Sequence, residues 1–167
     1  ALKAGDKVYV NNRGKSLILA TIGKKPLTDG VSIAAAHIDS PRLDLKPNPL
    51  YEDSELAYLD THYYGGIKKY QWTATPLSLH GVVVKKDGTA VNVCIGEDDA
   101  DPVFCVTDLL PHLGKEQMER KATEVVKGED LNLLIGSRTL AGEEDNAVKL
   151  NILALLNEKY GITEADF

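Results

Sequence analysis

The run from Val31 to Ile38, which leads into Asp39-Ser40-Pro41, constrains this chain more than any other segment. It is nearly all apolar, which predicts a β-strand buried on both faces, as in a mixed sheet covered by helices. Ser40-Pro41 stops strand pairing there. In an extended strand residues i and i+2 share a face, so His37 and Asp39 should stand together at the carboxyl end, where open α/β sheets hold their sites. A histidine with an adjacent carboxylate suits a metal ligand whose second ring nitrogen is oriented by that carboxylate. The same spacing also suits an ordinary hydrogen-bonded histidine, and spacing alone does not separate the two.

Around this run the first third of the chain is strand-rich. Lys7 to Val10 and Leu17 to Ile22 read as a hairpin across the turn-forming Asn11-Asn12-Arg13-Gly14. A second body is expected to begin near Trp72 to Pro76. Within it Leu77 to Lys86 and Thr89 to Ile95 should pair antiparallel, because the Asp87-Gly88 link favours a type I′ turn. Leu131 to Ile135 adds a short strand. Glu144 to Tyr160 carries apolar residues at mostly helical spacing, with Gly161 where a C′ residue belongs, and predicts an amphipathic helix. Glu143-Glu144-Asp145 then reads as negative charge at its N-terminus. The segments together predict a mixed fold between α/β and α+β, with one long helix.

Several classes are disfavoured by composition. The net charge of −6 and the scattered lysine pairs argue against nonspecific nucleic-acid binding. No apolar run reaches the roughly 18 residues that suggest a membrane span, so the chain is expected to be cytoplasmic and to have no membrane partner. Cys94 and Cys105 form no Cys-x-x-Cys pattern and sit among apolar residues, which predicts buried, reduced thiols. Acidic Glu97 to Pro102 lacks the glycine and terminal glutamate of an EF-hand loop and reads as a solvated loop. No Gly-x-Ser-x-Gly nucleophile or P-loop spacing occurs.

Ala36-His37-Ile38-Asp39-Ser40-Pro41 and the residues through Pro47 resemble the His-x-Asp-Ser-Pro segment of the aspartyl aminopeptidase and aminopeptidase I family of cocatalytic zinc metallopeptidases. Tyr64-Gly65-Gly66-Ile67 resembles that family's glycine-rich turn, Pro76 to Lys85 its following strand, and Leu110-Pro111-His112-Leu113 its Pro-His-Leu segment. Gly128 to Ser137 is similar to its bacterial branch.

The resemblance implies a zinc-dependent hydrolase that removes N-terminal residues from peptides, with two divalent metal ions in the complete enzyme. It implies His37 as a metal ligand, Asp39 as the carboxylate that orients it, and His112 as a residue reaching a neighbouring subunit's active site. His62 and His80 match no catalytic motif and read as structural. Residues 1 to about 72 are expected to open the catalytic domain's sheet, and 73 to 167 to form an inserted, β-rich dimerisation domain. Dimers would build a homo-oligomer, usually of twelve subunits. The family's bridging Asp, catalytic Glu and remaining ligands come from motifs such as Gly-Gln-Asp-Asp and Glu-Glu-Ile-Gly-Ser, which this sequence does not contain. The chain is therefore expected to be an internal piece of a longer enzyme, inactive alone. The alternative is a noncatalytic module whose role is dimerisation and assembly.

Overall fold

A computed structural model describes residues 1–166. The chain folds as two compact units, Ala1–Ser40 and Pro41–Phe167. In the first, β1 (Lys7–Asn12) and β2 (Ser16–Thr21) form the expected antiparallel hairpin, with Lys7 opposite Thr21. The turn reverses through Arg13 and Gly14, both at positive φ, and Asn11 Oδ1 accepts a hydrogen bond from Gly14 N–H at 2.8 Å. The buried strand expected at Val31 to Ile38 is not formed. These residues have no regular structure, and Val31, Ile33 and Ile38 are 63%, 82% and 70% exposed. An all-apolar strand is stable only between neighbouring strands and under helices, and among the described residues none pairs with it.

The second unit is organised by β4 (Leu56–Tyr64), which lies between β3 (Arg42–Asp53) and β8 (Leu133–Gly136) in an antiparallel sheet of order β3-β4-β8-β7, with β7 at Cys105–Val106. Burial alternates along β4, with Ala57, Leu59 and Thr61 inside, as period-2 geometry requires. Strand β3 crosses Lys46-Pro47-Asn48-Pro49 by a register shift between Leu45 and Leu50, with Asn48 at positive φ. Prolines are tolerated because β3 is an edge strand and the shift removes them from the ladder.

Strands β5 (Leu79–Val84) and β6 (Ala90–Ile95) form the second expected hairpin. Its turn differs from expectation. Lys85 N–H donates to Thr89 O at 2.9 Å and Gly88 N–H to Lys85 O at 2.8 Å, and Gly88 but not Asp87 has positive φ. That is a three-residue loop closed by a left-handed glycine, whereas a type I′ turn requires positive φ at both central residues. Burial alternates on β6, so Val93 and Ile95 face the core and Cys94 faces out. Cys94 is thus exposed and Cys105 only partly covered, which corrects the expectation of two buried thiols.

Helix α2 (Ala147–Tyr160) follows the predicted segment and ends at Gly161 in the left-handed conformation, with Gly161 N–H donating to Asn157 O at 2.8 Å. The helix is less two-faced than its spacing suggests. Ile152, Leu153, Leu156 and Tyr160 pack on the core formed by Leu50, Leu59, Phe104, Ile135 and Ile162, while Leu155 is 52% exposed. Close approach to the sheet depends on Gly136, where a Cβ would lie 2.7 Å from Ile152 Cδ1. The anionic partner at the N-terminus is not the adjacent acidic run: Lys149 N–H donates to Glu52 Oε2, on β3, at 2.8 Å. The only other α-helix among the described residues is the single turn α1 (Lys115–Met118), so the composition is mixed, with several sheets and two helices of which one is longer. No helix among the described residues is long and apolar enough to cross a membrane.

The hairpin β5–β6 is tied to α2 and its C-terminal turn by polar contacts. Tyr160 O–H donates to Cys94 O at 2.7 Å, Lys85 Nζ to Gly161 O at 3.1 Å, and Lys86 N–H to Asp166 Oδ1 at 3.1 Å. Asp101 receives Gly96 N–H at 2.8 Å and Lys159 Nζ at 3.1 Å, and these bonds, the first foremost, hold its carboxyl below the ordinary carboxylate range. Asp166 is lowered in the same way, chiefly by the Thr163 hydroxyl.

Two outcomes are expected. Glu52→Ala should cost about 1 kcal/mol, as loss of an N-terminal capping acceptor does, whereas Glu143→Ala and Glu144→Ala should each stay within roughly 0.5 kcal/mol of wild type, read by denaturant unfolding. A folded-state carboxyl pKa below its unfolded value stabilises fully above the ordinary range near pH ~4, and the benefit is lost as pH falls through the lowered value. Thermal midpoints measured from pH 7 to 3 should therefore drop at the acid end, and Asp101→Asn combined with Asp166→Asn should flatten that drop. An unchanged slope in the double variant would contradict this assignment.

Candidate metal centre

His37 and Asp39 meet although no strand forms around them. His37 Nδ1 lies 2.8 Å from Asp39 Oδ1, and the two side chains are 86% and 55% exposed. With Nδ1 engaged by the carboxylate, Nε2 is the ring nitrogen left to face a metal. The sequence expectation used strand geometry to bring these side chains together. Here the i, i+2 contact is made in irregular backbone.

The other histidines stand apart from that pair in kind. His112 is exposed in a turn where Leu113 N–H and Gly114 N–H both donate to Leu110 O at 2.9 Å. Around it Leu109, Leu110, Leu113 and Met118 are exposed by 55% to 66%. The base of this turn is fixed by Asp108, whose Oδ1 accepts from Gln117 Nε2 at 3.0 Å and from Leu109 N–H at 2.8 Å. The Gln117 bond, more than the backbone one, lowers the Asp108 carboxyl. His62 stacks on Tyr63 with ring centroids 5.4 Å apart.

His80 takes part in a cluster that the sequence reading passed over. Glu97 Oε1 accepts from Ser78 Oγ at 2.7 Å and lies 2.8 Å from His80 Nε2, which is itself 3.1 Å from Ser78 Oγ. The Ser78 hydroxyl, then His80, lowers the Glu97 carboxyl. A nucleophilic triad needs the acid and the serine on opposite ring nitrogens. Here both crowd the same nitrogen, so the cluster fastens the Glu97 loop to β5 and does no acyl transfer. Hairpin register was the signal available for it: Leu79 pairs with Ile95, which sets Ser78 and Glu97 at the same end of the ladder.

A concavity of about 800 Å³ lies in the second unit between β5–β6, β8 and α2, lined by Leu59, Val83, Ile95, Phe104, Ile152 and Leu156 among others. None of His37, Asp39 and His112 lines it. Among the described residues no three His, Cys, Asp or Glu side chains converge as a group that could hold a metal ion. Catalytic zinc takes three protein ligands and an open position. The described residues therefore do not by themselves assemble such a site.

The chain belongs to the M18 family of aminopeptidase I zinc metalloproteases, whose family model it matches over residues 1–167. It is 68% identical over 167 residues to the probable M18 family aminopeptidase 1 of Clostridium acetobutylicum, a match covering 99% of this chain and 36% of that protein. The corresponding Thermotoga maritima protein is 54% identical over 160 residues, covering 96% of this chain and 35% of its own length. A crystal structure of the T. maritima M18 aminopeptidase superposes with a TM-score of 0.86 at 52% identity, over 98% of this chain and 36% of that one. Aminopeptidase I from C. acetobutylicum superposes with a TM-score of 0.84 at 67% identity, over 99% and 36%. The chain thus spans about 36% of the length of the curated relatives it matches.

With no group of three candidate donors among the described residues, the 167-residue chain on its own should retain no stoichiometric zinc after gel filtration into metal-free buffer. Atomic absorption of the eluted protein checks this, and one tightly held zinc per chain would show that further donors converge.

Proposed function

We propose that this chain is part of a zinc-dependent aminopeptidase that hydrolyses N-terminal residues from peptides, in which His37 is a metal ligand, Asp39 orients it and His112 assists the reaction from a neighbouring subunit. The observation that carries this reading is the family match along the whole chain, together with the Asp39 carboxylate 2.8 Å from His37 Nδ1. The remaining ligands and the general base would come from parts of the enzyme outside these residues, since catalytic zinc needs more donors than are present here.

In this reading residues 1 to about 72 belong to the opening of the catalytic domain, and about 73 to 167 form the inserted domain that mediates dimerisation and, through dimers, a larger homo-oligomer of twelve subunits. The exposed apolar side chains of Val31, Ile33 and Ile38 fit a strand that is completed by neighbours in the full catalytic sheet. The exposed collar of Leu109, Leu110, Leu113 and Met118 around His112 fits a turn that is covered when subunits assemble. The cytoplasm is the compartment we assign, in keeping with two free cysteines among the described residues.

A second reading is a noncatalytic assembly module, favoured by the lack of a convergent metal-holding group among the described residues. Two variants of the complete enzyme separate the readings. His37→Ala should lower metal content, measured by atomic absorption, with activity falling in proportion. His112→Ala should leave metal content and particle size unchanged and reduce kcat by roughly 100-fold or more with little change in KM, the pattern of a group that acts only in the transition state. Wild-type kcat in an intact His112→Ala particle would make His112 a structural residue. Unchanged metal content in His37→Ala would remove it from the metal centre.

A further inference from the structure

We propose that the concavity lined by Lys69, Arg120 and Lys127 is a binding site for a small polyvalent oxyanion of the phosphate or diphosphate kind. These cations come from separate stretches of the chain. Lys69 opens a short 3₁₀ turn, Lys69–Gln71; Arg120 follows α1; and Lys127 precedes a second 3₁₀ turn, Gly128–Asp130. The fold brings them to one hollow of about 480 Å³ shared with Thr123, Glu124, Val126 and Gly128. Glu124 is the only acidic side chain among the lining residues.

None of the three cations takes part in an ion pair among the described residues, although Glu124 also lines the hollow. Among the described residues the ion pairs employ Arg42, Lys46, Lys149 and Lys159, with His37 and His80, and none involves Lys69, Arg120 or Lys127. Yet the chain as a whole carries a net charge of −6. Like charges gathered in a concavity with a low-dielectric floor repel one another, and an anion of charge −2 or more relieves that repulsion where water alone does so incompletely.

The hollow is built on fixed parts of the fold. Its floor residue Val126 is 4% exposed and packs with Val106 and Leu131, the cluster against which Tyr63 also packs. Lys69 Nζ sits 5.4 Å from the ring centroid of Tyr63, a neighbour outside the lining. The backbone carrying Lys127 is pinned at both ends, its N–H donating to Asp130 Oδ2 at 3.1 Å and its carbonyl accepting from Asp130 N–H at 3.2 Å. In the segment carrying the other lining residues, Arg120 N–H donates to Gln117 O at 3.2 Å, and Glu124 and Val125 N–H both donate to Lys121 O.

The chemistry of the lining selects the ligand class. A guanidinium can donate two parallel hydrogen bonds to a tetrahedral oxyanion, ammonium groups add point charge, and the Thr123 hydroxyl is a further donor. Cations outnumber the single carboxylate, which disfavours a monoanion. The volume is that of a small-molecule site. This inference does not depend on the peptidase reading, because none of the residues proposed for that chemistry lines the hollow.

The test is calorimetric titration of the complete protein with sodium pyrophosphate, at low ionic strength and again in 150 mM potassium chloride. Metal-depleted protein is used so that pyrophosphate cannot report on a metal centre. One saturable site per chain is expected at both salt concentrations. Arg120→Ala and Lys127→Ala should each weaken it by about tenfold or more, as loss of a charged hydrogen bond does, and Glu124→Gln should tighten it. A control pair, Lys24→Ala with Lys25→Ala, should leave it unchanged. Absence of saturable binding up to 10 mM, abolition by chloride, or equal loss in the control pair would each overturn the proposal. So would wild-type affinity in the Arg120 and Lys127 variants, or binding of a polyglutamate peptide in preference to pyrophosphate. Circular dichroism confirms that these surface variants are folded, so a lost signal reports on the site.

Discussion

The second unit depends on the two-sided pairing of β4. With β3 along one edge and β8 paired to Ala57–Leu59 on the other, β4 is flanked on both sides over that stretch, and its alternating residues form the middle of the core. One inward position is polar. Thr61 is 1% exposed, and a buried hydroxyl without a partner would cost a few kcal/mol, roughly what its pairing avoids. Its Oγ1 donates to Leu131 O at 2.6 Å, while its N–H donates to Asn132 Oδ1 at 3.2 Å and Asn132 Nδ2 donates onward to Tyr51 O–H at 2.8 Å. This chain of bonds crosses β3, β4 and the entry to β8. It fixes Leu131 and Leu133 in opposite clusters, one with Val106 and Val126 and the other under α2.

From that constraint the remaining packing follows. Strand β8 cannot shift along β4 without breaking the Thr61 and Asn132 bonds, so Gly136 is held where Ile152 of α2 needs a position without a Cβ. The helix is then aligned so that Glu52 meets its N-terminal amide and Gly161 its end, which leaves Ile162 1% exposed beneath the β5–β6 hairpin. The first unit has no comparable centre. All of β2 is exposed, and the segment bearing His37 makes no ladder. A metal ligand needs its orientation held by surrounding structure. The Asp39 contact provides only the most local part of that support.

Where local chemistry decides the backbone, the sequence was readable. Both hairpins and α2 rest on turn residues, period and a C-terminal glycine, all of which act within a few residues. The loop at Gly88 was misread in type because Asp-Gly serves two hairpin geometries, and which one forms depends on where the flanking strands stop pairing. Strands β3 and β4 are not among the predicted segments, and in β3 only edge position with a register shift makes Pro47 and Pro49 compatible with a strand. Cys94 was placed inside from the apolar character of its neighbours, although alternation along β6 puts it outward. The Glu52 cap and the Lys69, Arg120 and Lys127 hollow join residues remote in sequence, and no local pattern announces them.

The site residues show the same division between local and nonlocal information. His37 and Asp39 are two residues apart, and their contact is present even where the predicted strand is missing, because an i, i+2 hydrogen bond needs little from the rest of the fold. A catalytic zinc site is a different object: it requires several donors brought from distant segments to one point, and nothing in a single motif supplies that convergence. The family's residue types can thus be legible in a chain whose described residues do not assemble a site. His112 is the complementary case, since its turn is well made, with Asp108, Gln117 and Leu110 holding the backbone, yet its exposed side chain enters no ion pair among the described residues.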